Sequence, residues 1–477
     1  MSAVPTIAAV SAVVFVALAL SLTVGLDWQR SQSDIRAPQN LGPVLPDSSQ
    51  FQERACTCKN DWPIATNERV RSNDVFTQVA SIPDPRNTSS IIAFWGQLVD
   101  HDIVLSQQSD AEGLFQIQMV PGDILLNMTR NIHRTRNGCR EPRNHITPYI
   151  DATTVYGDTL SDPALLYQLR DGAKCELRTS AGDLMPLQEG STTLFLAGDV
   201  RATEHAVLSS LHTVMLREHN RLCTFVRNLQ PDWTETDVFW KTRQLVIAKK
   251  QRITYEEWLP ALFGSQAWML ENGPAYLPVH RERITAEFAV VAYRFGHSMI
   301  PDPIGPFALS TLFFNAQLLV ANGIEPYLQA ALDTTAEKAD DKVVDGLRDF
   351  MFAVGPSALG EDLVTRNLFR AREVGMETYA QMTACYSSLH VETGEQEAYI
   401  GLLQEPVVAG SSLPLNSAII IAEQFRRIKE FDPNFYTRLG SRLGVAYEQE
   451  LQRATLSTLI EDNTALVGVR EQAFLRS

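Results

Sequence analysis

Apolar residues recur along this chain at helical rather than strand spacing. Residues 91–105 are apolar with a few polar positions set among them, and in residues 201–229 Leu208, Leu211, Met215, Leu222 and Val226 return at intervals of three, four or seven. Residues 237–253, 286–297, 338–354 and 417–428 repeat the style. Strict apolar–polar alternation, the mark of a half-buried strand, is scarce. The pattern predicts a mainly α fold in one large domain, with few short strands.

The N-terminus follows a different rule. Residues 6–26 carry no charge, and about 20 apolar residues suffice to cross a bilayer. No Lys or Arg precedes them, whereas a signal peptide ordinarily starts basic; Thr23 and Gly25 are small enough for cleavage after Gly25. Residues 1–26 therefore read as a signal peptide or a signal anchor, and either sends the remainder into the secretory pathway. If the segment is retained, it is the expected membrane contact. Residues 27–55, with Pro38, Pro43, Pro46, Ser48 and Ser49, read as a linker or N-terminal arm. From residue 56 to 477 no second break in composition follows, so this stretch is expected to be one domain.

Composition narrows the class. The 477 residues are 45% hydrophobic and 20% charged, ordinary for a globular protein large enough to enclose a bulky cofactor. The formal net charge of −15 and the pI near 5.1 argue against nucleic acid as a partner, which needs a basic face. Six cysteines are present, at 56, 58, 139, 175, 223 and 385. That is sparse for this length, and at least one is expected to stay free and buried. Cys56-Thr-Cys58 lacks the CxxC spacing of a zinc or redox site. Two glycosylation sequons occur, at Asn87 and Asn127.

Candidate chemistry concentrates in FWGQLVDHDI, residues 94–103, where Gln97, Asp100, His101 and Asp102 interrupt an apolar run. Buried polar groups are costly without partners. Gln97 and His101 share one helical stripe, flanked by the two aspartates. One imidazole, one amide and two carboxylates suit a cofactor and a hard cation together. No HExxH, GxSxG or glycine-rich phosphate loop stands out. His297 closes AEFAVVAYRFGHSMIPD directly after Gly296, a residue small enough to let a flat ligand approach. Two such histidines in a helical chain raise the option of haem. Arg201 and Glu204, three apart, read as neighbours on a helix face. Asn367 and Arg370 lie in RNLFR, where an amide can orient a metal-bound imidazole. Thr147, Tyr149, Asp151 and Thr153 place oxygens at every second residue, a pattern able to wrap calcium with its roughly six to eight ligands.

These segments together resemble the animal haem peroxidase family. The likeness runs over roughly residues 80 to 475 and rests on WGQLVDHD, YIDATTVYG, LHTVMLREHNRL, ITYEEWLP, AYRFGHSMIP and EQFRRIKEFD, with LREHNRL and YRFGHS the most specific. It implies a haem b peroxidase that reduces H2O2 and oxidises halide, thiocyanate or phenolic donors through a high-valent iron-oxo intermediate. It implies His101 as the distal base, Arg201 as the distal cation, Gln97 as the holder of a distal water or halide, and His297 as the iron ligand with Asn367 behind it. Asp100 and Glu204 match the carboxylates that form ester links to haem, and Arg294 and Arg370 match residues near the propionates. Asp102, Thr147, Asp151 and Thr153, with the Tyr149 carbonyl, match calcium ligands. His205 stands where myeloperoxidase has the methionine of a third haem link, so that link and strong chloride oxidation are not expected. Arg372-Glu-Val-Gly375 departs from the usual RDHG, and the family's cysteine set is not reproduced. Two rival readings share the fold: a haem fatty-acid oxygenase, whose radical tyrosine would occupy the position of Arg294, and a non-catalytic adhesion or matrix protein.

Overall fold

The computed structural model describes residues 51–119, 124–158, 162–272, 283–352, 360–386, 394–439 and 444–476. The leader expected over 1–26 and most of the arm over 27–55 lie outside the described residues. The remainder is built from helices. The central one, α1 (Ile91–Ile103), is buried except at Gln97 and Asp100, its apolar positions reaching nearly all round the helix. Gly96 admits its neighbour: a Cβ there would stand 3.0 Å from the indole of Trp258. That indole donates to the Ile92 carbonyl at 2.7 Å, and Trp95 donates to Thr254 Oγ1 at 3.2 Å.

Two short antiparallel hairpins follow. β1 (Leu114–Met119) pairs with β2 (Ile124–Thr129) in the register Leu114 opposite Thr129, and β3 (His133–Arg136) pairs with β4 (Cys139–Pro142). Ile117, Met119, Leu126 and Met128 alternate onto one face and close a small second core with Phe369.

The long α2 (Ala206–Leu229) and α3 (Glu235–Ile253) pack against α1 through the main core. Helix α2 starts where His205 Nδ1 accepts the Leu208 N–H at 3.2 Å, an N-cap made by an imidazole. Helix α3 starts from a Thr234–Asp237 capping box. Helices α4 (Leu363–Glu373) and α5 (Leu415–Phe431) complete the set that frames the site.

Three local expectations are corrected. Residues 201–205 are a turn rather than helix, so Arg201 and Glu204 share no helix face. Residues 286–297 are not one α-helix: a π-helical turn (Glu287–Val291) passes into a 3-10 turn (Ala292–His297). Among the described residues of 338–354, only Asp345–Arg348 is helical. The apolar Val343 is instead taken up by a bridge to Thr77, donating to the Phe76 carbonyl at 3.0 Å.

The cysteine expectation is also overturned. All six pair, as Cys56–Cys385, Cys58–Cys139 and Cys175–Cys223, leaving none free. A low count per residue says nothing about pairing when each bridge joins segments 48 to 329 residues apart. Thiol titration of the denatured, unreduced protein is therefore expected to find no reactive sulfhydryl, and one or more per chain would contradict the pairing.

Candidate active site

The distal residues meet beside α1. His101 is buried, with Nδ1 lacking a hydrogen-bond partner. Burial, and then the neighbouring Arg201, hold its pKa well below the usual 6.5, so the ring is neutral. Arg201 reaches in from the 201–205 turn. Its Nε and Nη2 donate to the two oxygens of Asp199, at 2.9 and 2.7 Å. Nη1 donates to the Val104 carbonyl at 3.0 Å, and Nη2 also to the His101 carbonyl at 3.3 Å. A guanidinium has five N–H groups; these contacts use four and leave one on Nη1. Asp199 also lies 3.7 Å from His101 Nδ1. Burial alone would raise its pKa, but the charge and hydrogen bonds of Arg201 outweigh it and keep Asp199 ionised, below the usual carboxylate range. Asp199 was missed in the sequence; the acid two positions before the arginine was its only signal.

Gln97 is oriented from both ends. His205 Nδ1 is occupied as an acceptor, so its Nε2 carries the proton and donates to Gln97 Oε1 at 2.9 Å. The Gln97 amide nitrogen in turn donates to Glu204 Oε2 at 2.9 Å. Burial pushes the Glu204 carboxyl up to about 7 and Asp100 up to about 6. The Asp100 charge interacts with both Arg201 and Arg294, which places it between the two halves of the site.

The second half is the 3-10 turn that ends at His297. The Asn367 amide nitrogen, from α4, lies 2.8 Å from His297 Nδ1 and donates to the Tyr399 hydroxyl at 2.9 Å. Arg294 donates to the Asn367 carbonyl oxygen. Burial, then Arg294, bring His297 down to about 3, and burial brings Arg294 down to about 10. Arg370 does not join them directly: its Nη1 donates to the Thr129 carbonyl and to Glu373 Oε1, both at 2.7 Å. The two halves are bolted together by Tyr293, whose hydroxyl donates to the Gly96 carbonyl of α1 at 3.2 Å. The departing RDHG-like loop is held by Arg372, which pairs with Glu397 at 2.8 Å and Glu68 at 3.3 Å. Its Gly375 takes φ +66°, and a Cβ there would lie 2.6 Å from Asn60 Oδ1.

This set fits haem. A neutral imidazole stands in each half, and a Cβ at Gly296 would meet open space beside His297. Two carboxyl groups pushed toward neutrality complete the surroundings. The calcium set does not fit as well. Thr147 Oγ1 donates to Asp151 Oδ2 at 2.9 Å, and Thr153 Oγ1 donates to the Asp102 carbonyl at 3.2 Å, so the predicted residues do gather. The Asp102 carboxylate, however, is paired with the Lys250 ammonium at 2.7 Å, both side chains fully buried. The sequence offered no sign of that lysine, which sits in the polar run Lys249-Lys250-Gln251-Arg252.

A model of the animal haem peroxidase family matches residues 52–396, and the chain belongs to that family. It is a haem peroxidase, with hydrogen peroxide and small-molecule donors as its substrates. Peroxinectin A of Dictyostelium discoideum is 26% identical over 475 residues, an alignment covering 86% of this chain and 88% of that protein. Eosinophil peroxidase of Mus musculus is 26% identical over 495 residues, covering 84% and 68% respectively. Among solved structures, peroxidase A from Dictyostelium discoideum superposes with a TM-score of 0.77 at 23% identity, covering 90% of this chain and 95% of that one. A fatty acid alpha-dioxygenase from Arabidopsis thaliana gives 0.69 at 15% identity, covering 86% and 79%. At these identities the superpositions show a shared fold.

Two outcomes follow for the distal side. Because His101 stays neutral below its ordinary pKa, the rate constant for peroxide should remain flat as pH falls from 8 through about 6.5; a half-maximal point at or above that pH in stopped-flow measurements would contradict the assignment. Asp199→Asn should lower that rate constant about ten- to a hundredfold while the haem absorbance is retained. An unchanged rate would remove Asp199 from the site.

Proposed function

We propose that His101 and Arg201 activate hydrogen peroxide at a haem carried on His297. The observation that carries this is a buried, neutral His101 beside a guanidinium with a single N–H left unspent. Bound haem supplies the iron and the redox equivalents for reduction of the peroxide. The protein's part is proton transfer and charge. Asp199, 3.7 Å from Nδ1, favours the tautomer with its proton there, leaving His101 Nε2 to accept. Nε2 takes the proton from one peroxide oxygen and returns it to the other, which leaves as water. The free Nη1 hydrogen of Arg201 stabilises the negative charge that builds on the departing oxygen. Asp199 is a positioning residue for both groups. Gln97, held by His205 and Glu204, orders a distal water or a halide.

On the other side, His297 binds iron through Nε2. Its Nδ1 would then carry the proton and the Asn367 amide would turn to offer Oδ1, giving up the Arg294 hydrogen bond, with Tyr399 behind it. Arg294 faces a propionate, and Arg370 adds charge from its place beside Glu373. Asp100 and Glu204 are the carboxyl groups that would form ester links to the haem, each new C–O bond replacing a methyl C–H bond while one hydrogen peroxide takes up the two electrons and two protons and leaves as water. Calcium takes no part in this reading.

Three disulfides suit an oxidising compartment, consistent with export through residues 1–26. Asn87 and Asn127 are exposed, as glycosylation requires. Among the described residues no helix is long and apolar enough to cross a membrane. The fatty-acid oxygenase reading draws on the dioxygenase fold likeness, but Arg294 stands at the radical position. Tyr293, the adjacent tyrosine, is buried with its hydroxyl engaged by Gly96.

The purified holoenzyme should oxidise guaiacol and iodide with peroxide and produce little hypochlorite, since His205 cannot make a sulfonium link. Oxygen uptake with a polyunsaturated fatty acid in the absence of peroxide would favour the oxygenase instead. His297→Ala should lose the Soret band. His101→Ala should keep it and lose about 10²- to 10⁴-fold in peroxide reactivity. Parent-like reactivity of the His101 variant refutes the distal assignment.

A further inference from the structure

Beneath the distal site, one buried charge has an unusual partner. Lys250, near the C-terminal end of α3, is fully buried. Its ammonium donates to Asp102 Oδ2 at 2.7 Å, to Thr154 Oγ1 at 2.9 Å and to the Leu98 carbonyl at 3.1 Å. An ammonium has three donors, and each finds an oxygen. Two of these three, Asp102 and Leu98, belong to α1 itself, so the lysine grips the helix that presents His101.

Asp102 is equally complete. Oδ1 accepts from the Thr154 N–H at 2.9 Å and from the hydroxyls of Thr154 and Thr153 at 2.8 and 3.4 Å. Oδ2 accepts from the Ala152 N–H at 3.2 Å besides Lys250. The Thr153 hydrogen is shared with the Asp102 carbonyl, so four full donors meet a group with about four lone-pair sites. No lone pair remains for a metal. Of the predicted calcium set, Asp151 Oδ1 is the oxygen left buried without a hydrogen-bond partner. With the Thr147 and Thr153 hydroxyl oxygens, which donate in their hydrogen bonds and keep their lone pairs, and the Tyr149 carbonyl, the set falls short of the roughly six oxygens that calcium takes unless Asp102 joins it.

Charge points the same way. Two carboxylates, Asp102 and Asp151, balance one divalent ion. With the ammonium already on Asp102, a divalent ion would leave a surplus positive charge in a water-poor interior, which is strongly disfavoured. We propose that Lys250 is this chain's resident cation. It takes over at Asp102 the part that calcium is expected to play, and the enzyme folds and holds its distal helix with no bound divalent ion. This goes beyond the peroxide reading and does not rest on it, because its test reads metal content and unfolding rather than turnover.

The test uses the purified holoenzyme, exposed to millimolar calcium and desalted. Elemental analysis is expected to find far less than one calcium per chain. Thermal unfolding should give the same midpoint in EDTA and in calcium. Lys250→Met keeps the length and removes the charge, leaving Asp102 in need of a cation. It is expected to retain about one calcium per chain and to unfold several degrees higher in calcium than in EDTA, as a ligand bound only by the native state requires. Lys250→Arg, which preserves the charge, should remain indifferent to calcium. Wild-type enzyme carrying one calcium per chain, with a midpoint that falls on chelation, overturns the proposal. So does a folded Lys250→Met variant that ignores calcium. Should that variant fail to fold, the wild-type measurement decides alone.

Discussion

The structure depends on one constraint: ionisable groups placed in the core beside α1 must each be matched in place. A buried charge without a partner is far more costly than a buried polar group with one. Asp102 is matched by Lys250, Asp199 by Arg201, and Gln97 by His205 and Glu204. The helix cannot shift along its axis without breaking several of these at once. Its packing supports the same position, with two indoles donating around it and Gly96 admitting one of them. Catalytic geometry is thus a by-product of satisfying buried polar groups, and the groups left unsatisfied mark where chemistry is expected. One N–H of Arg201 is such a group, and the unpaired His101 Nδ1 beside Asp199 sets which nitrogen of that ring faces the pocket.

Much of this was legible in the sequence, and the failures have physical causes. Helix α1 and its four polar residues were readable because periodicity and composition agreed over 13 residues. The long α2 and α3 were readable for the same reason. Residues 338–354 misled because helical spacing of apolar residues cannot reveal that a distant backbone, at Phe76 and Thr77, will capture Val343. Residues 201–205 misled in the opposite way: three-residue spacing suggested a helix face, while the arginine found its partner two residues upstream. The first error is a tertiary pairing overriding a local pattern, the second a local turn contact that residue spacing alone does not reveal. The cysteine bridges, Lys250 and Tyr399 were illegible for a related reason. Each matters only through a partner 32 or more residues away in the chain, and a single sequence carries no record of pairing.

Histidines illustrate how burial prepares function. His101, His205 and His297 are all held neutral by loss of solvent, yet they serve different ends. His205 spends one nitrogen capping α2 and the other on Gln97, so it is a structural relay between a helix start and the distal pocket. His297 meets an amide at one nitrogen and leaves the other open. His101 keeps Nδ1 unpaired at a distance from Asp199 that a small movement could close. The same side chain becomes scaffold, ligand or base according to how many of its two nitrogens the fold consumes.

The bridge between Cys56 and Cys385 has a consequence of a different kind. The residues from Gln97 to Arg370 that face the reacting groups all lie between those two cysteines, with Tyr399 just beyond them. They enclose the active site in a single covalent ring. A protease that nicks the ring once, at whatever surface loop it can reach, makes two fragments that remain tied through sulfur. Such an enzyme can be cut in the harsh surroundings its own oxidants create and still keep both halves of its active site on one molecule.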